Sequence, residues 1–227
     1  QRTSGEISIL GKDPEKFGPQ IRAHLGVIPQ KDNLDEQLSV TENLYIYGRY
    51  FGLSSKFIKG KIEELLEFAQ LEEKRDAKVE SLSGGMKRRL TIARALVSEP
   101  DILMLDAFDG RGVPPDLFSQ DFFDTCAHAL HPEGILLVNL WGSDKNFDLY
   151  LGRIEQSFLG KVLVLKTGRP GNVVVFGFKR APHDLRWSTL RVRAKELQET
   201  HKVEFLEFVE KLKDENASTN NRLMFSV

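Results

Sequence analysis

Two short stretches, Leu82 to Arg89 and Pro100 to Asp106, constrain this chain more than any others. The first reads L-S-G-G-M-K-R-R. Its serine can cap a helix, and its two glycines leave the first turn without side chains. Backbone N–H groups there can approach a phosphate, and the helix dipole favours negative charge at that end. A helix predicted over 83–97 then leads through Pro100-Asp101 to an apolar strand, 102–105, that ends in Asp106. Strands ending in a carboxylate belong to open α/β sheets, where ligands gather outside the carboxyl ends.

Upstream, Glu6 to Leu10 alternates polar and apolar residues before Gly11-Lys12-Asp13-Pro14, which predicts a strand and a turn. Leu25 to Ile28, stopped by Pro29, predicts a second strand. Ser39 and Glu42 have capping-box spacing, so a helix is expected over about 40–51. Phe57, Ile58, Ile62, Leu65, Leu66 and Ala69 repeat at helical spacing over 56–70.

Downstream, Gly110 to Pro115 reads as a loop before a helix over 117–130 that carries Phe118, Phe122, Phe123 and Cys126. A strand over 135–140, a helix over 144–158 and paired strands at 162–165 and 173–178 follow. Amphipathic helices over 183–199 and 203–212 close the chain, and the tail 216–221 is expected to fray.

With 227 residues there is room for one large domain or two small ones. A formal net charge of -1 gives no field that would draw nucleic acid or an anionic membrane. The single cysteine, Cys126, excludes an internal disulfide and fits a reducing compartment. No apolar run approaches the roughly 18 residues that span a bilayer, so direct membrane insertion is not expected. The start has no signal-peptide core and no initiator methionine, as if cut from something longer. A cytoplasmic location follows.

Over residues 1–106 the order and spacing resemble the ATP-binding domain of ABC transporters, in the drug and lipo-oligosaccharide exporter branch. The resemblance implies a helical subdomain at about 31–97 that touches a transmembrane subunit. Ser83, Gly84, Gly85 and Met86 would be the signature that reaches, in trans, the nucleotide held by a second ATPase subunit. Gln30 would contact metal and attacking water, or is a solvated residue ending its strand. Asp106 would be the Walker B ligand of Mg2+. ATP and Mg2+ are the implied cofactors. The sequence contains no G-x-x-x-x-G-K-[ST], and Ala107 stands where the family has a catalytic glutamate. ATP hydrolysis by this chain alone is therefore not expected.

Over residues 106–227 the chain resembles the C-terminal half of spermidine-synthase-like aminopropyltransferases, which have the class I methyltransferase fold. The carriers are Asp106-x-x-Asp109, the Phe-rich helix after Leu117, and Leu130-x-Pro132-x-Gly134 before an apolar strand. By that resemblance Asp106 takes a proton from an attacking polyamine nitrogen. Asp109 helps hold the cation, or serves as a turn cap. Decarboxylated S-adenosylmethionine would be the cosubstrate, although the upstream glycine loop that binds it is absent.

The combined expectation is an α/β chimera: a composite, mostly parallel open sheet, with a P-loop ABC half joined to a Rossmann-like methyltransferase half at Asp106. Strands 25–28, 102–105 and 135–140 would lie in sequence, with the 162–178 hairpin at the far edge. Three functions compete: an ABC-type subunit, an aminopropyltransferase, and a non-catalytic interaction module. An oligomer is compatible with each. Smaller features are read plainly. His128 and His131 form a solvated pair, Lys87-Arg88-Arg89 an exposed helix face, and Cys126 core filler. Asn216-Ala217-Ser218 is a sequon without a secretory signal.

Overall fold

The computed structural model describes residues 6–29, 33–106, 118–167 and 171–225. The fold is α/β with an open, mixed sheet of five strands. Residues up to 104, with 129–131, form one compact unit, and 105–128 with 132 onward form a second.

In the first unit, α1 (Pro14–Ala23) leads into β1 (Leu25–Ile28). Helices α2 (Val40–Tyr50), α3 (Ser55–Ala69) and α4 (Gly84–Leu96) precede β2 (Ile102–Leu105), which lies beside β1. Both halves of the capping box at α2 form: Ser39 Oγ accepts from the Glu42 N–H at 3.2 Å, and Glu42 Oε2 accepts from the Ser39 N–H at 2.8 Å. Ile58, Ile62, Leu65, Leu66 and Ala69 bury the apolar face of α3. Gly26 lets α4 pack against β1, because a Cβ there would stand 2.8 Å from the Ala95 carbonyl oxygen.

Three expectations fail in this unit. Residues 6–10 form no strand; Ile9 and Lys12 make an isolated bridge, and Ile7 is exposed. The alternation there had no ladder partner among the described residues. Helix α1 was not foreseen, because Gly11 to Pro14 reads as a turn. Pro14 instead occupies the first helical position, where no N–H is needed, and Phe17 carries a kink. The basic run is not an exposed face. Arg88 is buried and donates to the Pro29 carbonyl, Arg89 Nε donates to the Ala69 carbonyl at 2.7 Å, and Lys87 pairs with Glu36 at 2.7 Å. Arg94, on the same helix, donates to the Asn33 carbonyl at 2.9 Å, and its guanidinium lies 4.5 Å from the centre of the Tyr47 ring. These cations tie α4 to the chain around it.

The second unit contains α5 (Gln120–Ala129), β3 (Ile135–Trp141), α6 (Phe147–Ser157), β4 (Val162–Lys166), β5 (Asn172–Phe178), α7 (Trp187–His201) and α8 (Phe205–Glu215). Strand β5 runs antiparallel to both β3 and β4 and lies between them. The expected sheet was mostly parallel with an antiparallel 162–178 hairpin at its far edge; β4 and β5 form that edge, and because β5 also meets β3 antiparallel the sheet is mixed.

Phe118, Phe122, Phe123 and Tyr150 form an aromatic cluster with centroid spacings of 5.0–5.9 Å. Cys126 is wholly buried, and burial pushes its thiol far above the ordinary range, so it is inert core. A separate core gathers Leu163, Leu185, Trp187, Ala194, Val209 and Leu223. The tail does not fray. Asn216 Oδ1 accepts from the Val164 N–H and its Nδ2 donates to the Val164 carbonyl, both at 2.7 Å. Thr219 and Asn221 accept from the indole and backbone N–H of Trp187. Polar residues there satisfy the edge strand's backbone instead of water.

Candidate functional site

The start of α4 is built as its sequence implies. Ser83 caps it, its Oγ accepting from the Met86 N–H at 3.3 Å. Leu82 is buried just before it and anchors the turn. Ser83, Gly84 and Gly85 are exposed, and Met86 is half-buried. A Cβ on Gly84 or Gly85 would meet nothing within 4 Å, so these glycines are not required by packing. No acidic side chain lies in the first turn. The positive end of this helix is therefore uncompensated by its own residues, which suits an anion.

Asp106 follows the carboxyl end of β2 and is exposed. Its Oδ1 accepts from the Asn139 side-chain amide at 3.3 Å. Gln30 and Asp109, expected at the same functional edges, lie outside the described residues. Among the described residues, no group of three His, Cys, Asp or Glu is arranged to hold a metal ion. Mg2+ is commonly held by one or two carboxylates together with substrate phosphates, so a single hard oxygen at Asp106 fits that role. The Ser83–Met86 turn fits a phosphate on the grounds given above.

Beside α2, a recess of about 270 Å³ is lined by Asn33, Asp35, Ile46, Tyr47, Tyr50 and Arg94, among others. Asn43, buried at its base, accepts from the Asp35 N–H at 3.0 Å and donates to the Asp35 and Ser39 carbonyls at 2.9 and 3.1 Å. Sequence reasoning missed Asn43, Arg94 and Asn139. The only signal for the first two was a polar residue on the buried face of an otherwise amphipathic helix. Asn139 had none, because its partner is 33 positions away. His128 and His131 are both exposed, as expected of a solvated pair, and His131 Nδ1 lies 3.5 Å from Asp101 Oδ1.

Residues 1–108 match the family model described as ABC transporter. Over that stretch the chain is similar to ABC transporter ATP-binding domains. The Nod factor export ATP-binding protein I of Cupriavidus metallidurans is 54% identical over 103 residues, which are 45% of this chain and 34% of that protein. The protein of the same name from a Rhizobium species is 52% identical over 103 residues, again 45% and 34% of the two chains. This chain thus spans about a third of the length of these curated relatives. Among solved structures, an ATP-binding subunit of an ABC transporter matches with a TM-score of 0.44 and 21% identity, over 60% of this chain and 63% of that one. A dimeric ATP-binding cassette bound to ADP and Pi matches with a TM-score of 0.45 and 25% identity, over 55% and 57%.

No helix among the described residues is long and apolar enough to cross a membrane. The family match stops at residue 108, and the expected aminopropyltransferase half and the chimera rest on the quoted residues alone.

Proposed function

We propose that the ABC segment acts as the signature-bearing part of an exporter's ATP-binding subunit. It offers the Ser83–Met86 turn to a nucleotide held by another ATPase subunit. The observation that carries this is the capped but bare first turn of α4, with open space at both glycines and no acidic side chain. The recess beside α2 would receive a transmembrane subunit at the inner membrane surface, and the kinship with Nod factor exporters points to lipo-oligosaccharide cargo. Asp106 would hold Mg2+ through its carboxylate, while Arg88, Arg89 and Arg94 keep α4 in place. Bound ATP and Mg2+ would supply the phosphoryl-transfer chemistry. The test is to titrate the protein into a complete exporter ATPase. A change in that enzyme's turnover supports the reading, and no change at saturating protein overturns it. The protein alone is expected to show no ATPase activity above background.

A second reading, polyamine aminopropyl transfer, draws support from one contact. The Asn139 amide on Asp106 orients a carboxylate at a strand's carboxyl end, where it could take a proton from an amine. Absence of decarboxylated S-adenosylmethionine binding by calorimetry overturns it. A non-catalytic interaction module remains if neither ATP–Mg2+ nor adenosyl ligands nor polyamines shift the thermal midpoint.

A further inference from the structure

A recess of about 300 Å³ in the second unit is used by neither reading. It lies where Phe178 of β5 pairs with Ile135, the first residue of β3. Asp106 meets β3 farther along, at Asn139, so the two places are separate. Phe158, at the end of α6, is buried against the recess and packs on Gly177, where a Cβ would come 2.8 Å from its ring.

The charges in the lining favour an anion. Lys161 and Lys179 both line the recess. Lys179 Nζ donates to the His128 carbonyl at the end of α5, at 3.3 Å, and its backbone N–H donates to the Gly134 carbonyl at 3.0 Å. Lys161 is half-buried and makes no ion pair among the described residues. An ammonium group partly withdrawn from water attracts a negative partner. Among the described residues of the lining, the one acid is Asp124. Its Oδ1 is already engaged, accepting from Ser157 Oγ at 2.6 Å and from Gln120 Nε2 at 2.9 Å. Two ammonium groups against one carboxylate leave place for a single further negative charge, and a dianion would be repelled by Asp124.

The rim is apolar and strained. Leu159 lines the recess, is 78% exposed, and has φ of +53°, a left-handed conformation disfavoured for a branched side chain. Exposure to water stabilises neither feature, whereas an apolar ligand would cover the side chain.

We propose that this recess binds a small organic monocarboxylate with an aliphatic tail. Lys161 and Lys179 take the carboxylate, and Leu159 covers the tail. The volume is at the small end of those that hold small molecules. The site depends on neither reading of Asp106.

The full chain is titrated with hexanoate by calorimetry, with acetate, hexylamine and inorganic phosphate as comparisons. Saturable hexanoate binding in the millimolar range is expected, at least about tenfold tighter than acetate, because the tail buries apolar surface. Hexylamine, repelled by the lysines, and phosphate, repelled by Asp124, should be silent. Lys161→Gln should weaken hexanoate about tenfold. Leu159→Asn, whose side chain tolerates the left-handed turn, should weaken it about threefold and leave acetate unchanged. Circular dichroism checks that each variant folds. Hexanoate binding that survives both substitutions overturns the proposal, as does hexylamine or phosphate binding as tight as hexanoate. No saturable hexanoate binding to the unaltered chain overturns it as well.

Discussion

Helices α2 and α4 begin with the same residue type and part company within one turn. At α2, Ser39 and Glu42 satisfy one another's backbone donors, so the positive end of the helix is closed by its own carboxylate. At α4, Ser83 accepts one N–H, and Gly84, Gly85 and Met86 bring no acid. A third start, at α7, is guarded from outside the helix by Asp184, whose carboxylate accepts from the Arg186 N–H at 3.0 Å and from Thr189 Oγ1 at 2.9 Å. Two of the three starts are filled for stability, and one is left open. The contrast teaches that an open helix end is a choice of side chains, one that α3 shares, since Ser54 caps it and its first turn also carries no acid.

The sharpest way to break the comparison is to make α4 resemble α2. Met86→Glu restores capping-box spacing from Ser83 and places a carboxylate where a phosphate would sit. It should abolish the effect on a partner exporter's turnover, a loss of at least about tenfold, while raising the stability of the fold by about 0.5 kcal/mol in urea titration. A variant that keeps its trans effect removes the functional meaning of the difference. Next in size, Ser39→Ala should cost about 1 kcal/mol, because it opens a complete box. Ser83→Ala should cost about 0.5 kcal/mol, since its bond is longer and exposed. Equal losses at the two serines would mean that the acid at α2 contributes nothing.

Gly85→Ala should stabilise the fold by about 0.5 kcal/mol, because an alanine there meets no neighbour and restricts the unfolded chain. The smallest effect concerns α7. Arg186, first through its side chain and then through its backbone N–H, holds the Asp184 carboxyl well below the usual carboxylate range. Its folded value is depressed, so its contribution is present above the ordinary value of 3.8 and is lost as pH falls through the folded one. The difference in thermal midpoint between Asp184→Asn and the unaltered chain should be small at pH 7. It should shrink further as pH drops below about 4.

Local chemistry made much of the first unit legible. The Ser39–Glu42 spacing, the apolar repeat of α3 and the Ser83 start each specify their own element without reference to the rest of the chain. What failed depended on distant partners. Alternation over 6–10 looked like a strand but found no neighbour among the described residues. Lys87-Arg88-Arg89 looked solvated because carbonyl acceptors at Pro29 and Ala69 leave no mark in the sequence. Pro14 concealed α1, although a proline in the first turn is compatible with a helix. The site divides in the same way. Ser83 to Met86 could be read directly, since the chemistry lies within four residues. Asn139 could not, because its partner Asp106 lies 33 positions away.

The carboxamide of Asn216 on β4 has a consequence beyond anchoring the tail. A sheet's outermost strand is a template on which further strands, from this molecule or another, can add without limit. By occupying both polar groups of Val164 with a side chain that cannot itself be extended, the chain carries its own terminator against fibrous growth.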